Sequence, residues 1–169
     1  MDDRILELQL PREGHLPRAL AALTAYTRAA GTDYLTDTIR LADDGPDDLA
    51  AWTRAAPTLA SSLWVFAKDS THALFALWMR DSEDLEASPV IRLDSEGVEN
   101  NLVAANLTDF AWKLAKGQID GQPTSGRLIE FLRAHIPDPP STVPDPRADD
   151  RLNAWIRAGM EQATSGPAS

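Results

Sequence analysis

The residue types that most often carry chemistry are few and scattered in this chain. There are three histidines, His15, His72 and His135, and no cysteine. No histidine has a second histidine or a carboxylate at helical metal-ligand spacing in a convincing setting. No HExxH, GxSxG elbow, phosphate-cradling glycine loop or dinucleotide fingerprint is present. Without thiolates, a zinc site would need histidine and carboxylates alone. His72 falls in a turn between two apolar runs. His135 falls at a helix C-terminus, where partial positive charge is favourable. All three read as structural, and neither a metal nor a cofactor is expected.

Paired carboxylates are abundant: Asp43/Asp44, Asp47/Asp48, Glu83/Asp84 and Asp94/Glu96. Glycosidase-type chemistry needs two carboxylates with separated pKa values in one cleft. Acids in turns read instead as solvated groups, so no enzyme is expected. The run from 81 to 99 carries a different message. It holds seven acids, Asp81, Glu83, Asp84, Glu86, Asp94, Glu96 and Glu99, and one base, Arg92. They flank one strand, so they are expected to gather near one edge or end of a sheet. Acids there can protect an edge from pairing, or they can form a patch that steers a basic protein partner.

The elements that must position these groups can be read from pattern. Residues 89–117 give strand, acidic turn, strand and capped helix. Val90, Ile91 and Leu93 form a β-branched run, and Asp94-Ser95-Glu96-Gly97 supplies turn chemistry. Leu102-Val103-Ala104 is a second run. Asn106 stands as an N-cap with Asp109 three residues on. Leu107, Phe110, Ala111 and Leu114 share a helical face, and Gly117 sits at C′. Leu63–Phe66 and Ala73–Met79 are near-continuous apolar runs around Lys68-Asp69-Ser70-Thr71-His72, which is the pattern of central antiparallel strands covered on both faces.

Upstream, residues 4–10 predict a strand or an extended lead-in, stopped by Pro11 and Gly14. A helix follows from Pro17 to Gly31, then a strand over 35–42. Asp47 and Asp48 open a short helix through Trp52 that closes before Pro57. Downstream, 127–135 predict a helix with Leu128, Phe131 and Leu132 on one face. Five prolines within 137–146 favour an extended spacer. Residues 148–163 then predict an amphipathic helix with Leu152, Trp155, Ile156 and Met160 on one side. The expected organisation is an α+β domain over 1–136, a Pro-rich linker over 137–147, the helix over 148–163 and a disordered tail over 164–169. The sheet is expected to be mixed, mainly antiparallel, and flanked by helices.

Of the five tryptophans, Trp64, Trp78 and Trp112 lie on elements that read as core. Trp155 lies beyond the linker, where it either docks its helix on the domain or anchors another chain. The chain of 169 residues has a formal net charge of −10 and a sequence pI near 4.6. That balance argues against nucleic acid as a direct ligand, because phosphate contacts need clustered Lys and Arg. The first residues lack a basic segment followed by a long apolar one, and no apolar run approaches the ~20 residues of a membrane span. A soluble, cytoplasmic protein is expected.

LWVFAKDSTHALFALWM at 63–79, followed by SPVIRLDSEGVENNLVAANLTDFAWKLAKG at 88–117, resembles the SUKH superfamily. That group of small α+β proteins includes the Smi/Knr regulators and many bacterial toxin-immunity proteins. The resembling pattern is an apolar strand, a polar turn and a second strand closing on an aromatic, then a proline-led strand, an acidic-glycine turn and a strand. It ends on a helix start of the form Val103-Ala104-Ala105-Asn106-Leu107-Thr108-Asp109-Phe110. The chain departs from it where KDSTH replaces a glycine-rich turn. The resemblance implies a non-enzymatic role: binding and neutralising a toxin domain, commonly a nuclease or deaminase, or acting as an adaptor. The expected function is therefore an immunity-like protein that binds a basic toxin domain through an acidic surface made by Asp81, Glu83, Asp84, Glu86, Asp94, Glu96 and Glu99. The alternative is an intracellular scaffold or adaptor that uses the C-terminal helix and Trp155.

Overall fold

The computed structural model describes residues 15–42, 45–53, 56–79, 84–97, 99–139 and 147–165. The strand expected over 4–10, Asp81 and Glu83 of the acidic run, and most of the Pro-rich stretch lie outside these residues.

Five strands form one antiparallel sheet in chain order: β1 (Ile39–Leu41), β2 (Leu63–Asp69), β3 (Leu74–Trp78), β4 (Val90–Leu93) and β5 (Asn101–Ala104). Every described pairing is antiparallel, so the mixed element of the expectation is absent among these strands. β2 and β3 are buried along almost their whole length. Alternate side chains feed two separate cores. Trp64, Phe66, Phe75, Leu77 and Val90 face one side; Leu63, Val65, Leu74, Ala76 and Ile91 face the other. An irregularity between Val65 and Ala67 shifts the register against β3, so Phe66 and Ala67 join the same core.

Helices cover both faces. The first core is closed by α1 (Arg18–Ala30), α4 (Leu107–Ala115) and α5 (Gly126–His135). Phe110 of α4 meets Phe66 edge-on at 5.2 Å and Phe75 at 5.5 Å, contacts worth about 0.5–1.5 kcal/mol each beyond burial. The second core is closed by α2 (Gly45–Thr53), α3 (Pro57–Ala60) and α6 (Ala148–Thr164). Leu152 and Ile156 of α6 are buried there. Trp155 lies 5.4 Å from Trp78, and Gly159 packs directly on Leu59. The last helix is thus seated on the same chain's sheet.

Local chemistry accounts for the element ends. Asn106 Oδ1 accepts from the Asp109 N–H at 2.9 Å, and Asp109 Oδ2 accepts from the Ala105 N–H at 2.9 Å, a reciprocal cap that starts α4. Gly117 takes φ +72° after α4, and a Cβ there would meet the Gln122 carbonyl oxygen. The strand expected over 35–42 shortens to three residues. Thr36 Oγ1 accepts from the N–H of Ile39 at 3.1 Å, and Thr36 and Thr38 both donate to Asp120, so the chain turns before it pairs. Trp64, Trp78 and Trp112 are all under 9% exposed.

Candidate functional site

Among the described residues the chemistry-bearing side chains do not converge. His15 precedes α1, His72 sits in the β2–β3 hairpin and His135 ends α5. All three are exposed, and His135 stacks on Phe131 at 4.1 Å. Among the described residues no three His, Cys, Asp or Glu side chains are grouped to hold a metal ion. Asp48 of the Asp47/Asp48 pair is spent on Lys68, whose Nζ donates to it at 3.0 Å.

The described acids of the run from 81 to 99 form two sets at opposite ends of β4, not one. Asp84 and Glu86 precede the strand. The Asp84 carboxylate accepts from the Glu86 N–H at 2.9 Å, and the Glu86 carboxylate accepts from the Arg18 N–H at the start of α1. Glu86 thereby satisfies a helix terminus on the first face. Asp94, Glu96 and Glu99 follow the strand, toward α2 and α6 on the second face. A four-residue strand separates its flanks by roughly 10 Å or more, so a single cluster could not form.

Arg92, the one base in the run, does not offset these acids. Its guanidinium reaches across β3 to Asp69, with Nε at 3.2 Å and Nη2 at 3.0 Å from Oδ2. Asp69 Oδ1 accepts from the Thr71 hydroxyl at 2.6 Å, the Thr71 N–H at 2.8 Å and the Ala73 N–H at 3.1 Å. Burial alone would raise the Asp69 carboxyl, but these bonds from Thr71, Arg92 and Ala73 together outweigh it and hold the group below its ordinary value. Asp69 and Arg92 therefore lock the hairpin, and His72 at φ 66° completes the turn where a glycine would sit without strain.

With Arg92 engaged elsewhere, the exposed side chains of Glu96 and Glu99 have no hydrogen-bond or ion-pair partner among the described residues. Glu96 lines a groove of about 680 Å³ bounded by α2, the β4–β5 turn and α6. Hydrogen bonds hold its three walls together. Trp52 Nε1 donates to the Asp94 carbonyl at 2.7 Å. Asn153 Nδ2 donates to the Asn100 carbonyl at 2.8 Å, Asn100 Nδ2 donates back to Asn153 at 3.3 Å, and the Leu102 N–H donates to Asp149 at 2.7 Å.

Sequence reasoning named Glu96 only as part of an acidic run and did not foresee the groove, which also draws on Trp52, Asn100, Asn153 and Arg157, up to about a hundred positions apart. One local signal was available: Asn153 sits three residues before Ile156, a polar group on the docking side of α6. Trp155 is not presented outward from a free helix; its half-buried ring rests against Trp78. No helix of the described residues is long and apolar enough to cross a membrane. Compared with family models, curated proteins and solved structures, the chain matches none of them.

Proposed function

We propose that this chain is a non-enzymatic protein-binding module of the immunity type, which neutralises a basic toxin domain by gripping it from outside. The observation that carries the reading is the β4–β5 turn. Glu96 and Glu99 are exposed there and have no ion-pair partner among the described residues, with Asp94 beside them, and Arg92, the one base of the run from 81 to 99, is bound to Asp69. Dispersal of the three exposed histidines over separate elements supports a binding role over catalysis. The resemblance to the SUKH superfamily, which includes many toxin-immunity proteins, supports the same reading. Charges at such a rim act mainly on association rate and are screened by salt.

The test is capture of a purified basic toxin domain of the nuclease or deaminase kind, at low and at high salt. Complex formation that weakens with salt, and weakens again in Glu96→Lys/Glu99→Lys, supports the reading. Undiminished binding after charge reversal removes the acidic-surface mechanism. The adaptor reading, in which the C-terminal helix binds another chain, has less support. Leu152, Ile156 and Gly159 of that helix are buried against its own sheet and α3, so the helix is not free to dock whole on another chain.

A further inference from the structure

The groove beside Glu96 has no role yet beyond its rim. Its volume, about 680 Å³, lies within the roughly 300–1,000 Å³ range of ligand-sized sites. Its walls are unequal in character. Trp52, Ile156, Met160 and Ala163 supply apolar surface, Glu96 stands on the turn side, and Arg157 stands on the α6 side. Arg157 is exposed and, like Glu96, has no partner among the described residues. The bonds from Trp52 to Asp94 and between Asn100 and Asn153 fix the walls before anything binds, so little ordering cost would fall on the complex. Met160 adds an adaptable surface that can follow the shape of what enters.

We propose that this groove is an anchor site that seats one large apolar side chain, of the Phe or Leu class, from the basic protein partner. The occupant's charge follows from complementarity. A cation next to the anchor faces Glu96, and a backbone carbonyl or carboxylate on the other side faces Arg157, so the two rim charges fix the direction in which the segment lies. A buried apolar anchor ringed by polar contacts is where binding energy concentrates in interfaces, while rim charges set the rate of encounter. The inference rests on the binding reading above for the partner's charge, and on the groove alone for the anchor.

The test uses the full chain and two synthetic peptides, acetyl-Lys-Phe-Gly-amide and acetyl-Lys-Ser-Gly-amide, followed by two-dimensional NMR. The phenylalanine peptide is expected to shift the Trp52 indole N–H and the Asn100 and Asn153 side-chain amides, and to bind roughly tenfold more tightly than the serine peptide. Ala163→Trp places a ring in the groove from an exposed helix position and should abolish that difference without lowering Tm. Equal binding of the two peptides, or an unchanged preference in Ala163→Trp, overturns the anchor. If the peptides bind equally and both are lost in Glu96→Lys/Glu99→Lys, the acidic reading stands and the anchor falls. If the preference for phenylalanine survives charge reversal with the same Trp52 shift, the anchor stands and the acidic reading falls.

Discussion

Replacing Gly159 by alanine asks whether α6 is seated on the sheet as described. On a helix exposed to water, Gly→Ala stabilises by about 1 kcal/mol, because alanine loses less backbone entropy. In this fold the new Cβ would lie 2.6 Å from Cγ of Leu59 and 3.2 Å from its Cδ1. Leu59 is fully buried, and Cγ is the branch point of its side chain, so the whole group must move into packed surroundings. Overpacking of that kind costs about 1–3 kcal/mol. Taking about 2 kcal/mol for the clash and about 1 kcal/mol for the propensity gain leaves a net loss of about 1 kcal/mol. For a chain of this length that is a fall in Tm of about 2–4 °C. Thermal unfolding followed by circular dichroism reads it. The double variant Leu59→Ala/Gly159→Ala gives a second reading, because the methyl then enters vacated space. Leu59→Ala alone should cost about 2–5 kcal/mol, and the pair should cost less than the sum of the two by about 1–2 kcal/mol. A rise in Tm for Gly159→Ala, or strict additivity in the double variant, would refute the packing of α6 on α3.

Other outcomes follow from the same structure. Asp69 has its folded pKa below the ordinary value, so its contribution is fully present above the unfolded value of 3.8 and disappears as pH falls through the lower folded value. Asp69→Asn should therefore be less stable than the parent by about 1–2 kcal/mol at neutral pH, and urea-unfolding curves of the two proteins should converge in strong acid; a difference independent of pH would contradict this. His72→Gly removes a left-handed backbone cost of about 1–2 kcal/mol and restores about half of it as unfolded-chain entropy, so Tm should rise slightly; a fall would mean that the imidazole itself contributes. Removal of residues 137–169 strips the cover from Leu59, Ile91 and Trp78 and should abolish cooperative unfolding. A truncated chain that keeps a sharp transition would make α6 dispensable and return weight to the adaptor reading.

What could be read from sequence was what local chemistry decides. Asn106, Asp109 and Gly117 bound α4 as their residue types demand, because a cap is satisfied within four residues of itself. The two apolar runs at 63–79 marked strands covered on both faces, since only such strands can afford no polar side. Pairings over long separations left weaker traces. The hydrogen bond from Arg92 to Asp69 spans 23 positions, and nothing next to Arg92 in the chain points to that partner. The groove draws on α2, a turn and α6, whose meeting depends on which face each helix chooses. The amphipathic pattern of 148–163 told that the helix needs a partner surface, but not whose. The division of the acids into two sets was legible in principle, because a strand stands between them.

The central claim is that the acidic rim at the β4–β5 turn, unpaired among the described residues, draws in a basic protein. The most direct measurement is the association rate constant with a purified basic toxin domain of the proposed kind, taken by stopped flow across ionic strength. The account predicts a rate that falls steeply between about 0.01 and 1 M salt, as the screening length drops from roughly 30 to 3 Å, and that becomes nearly flat in Glu96→Lys/Glu99→Lys. A rate that is independent of salt in the parent, or equally salt-dependent after charge reversal, would contradict it.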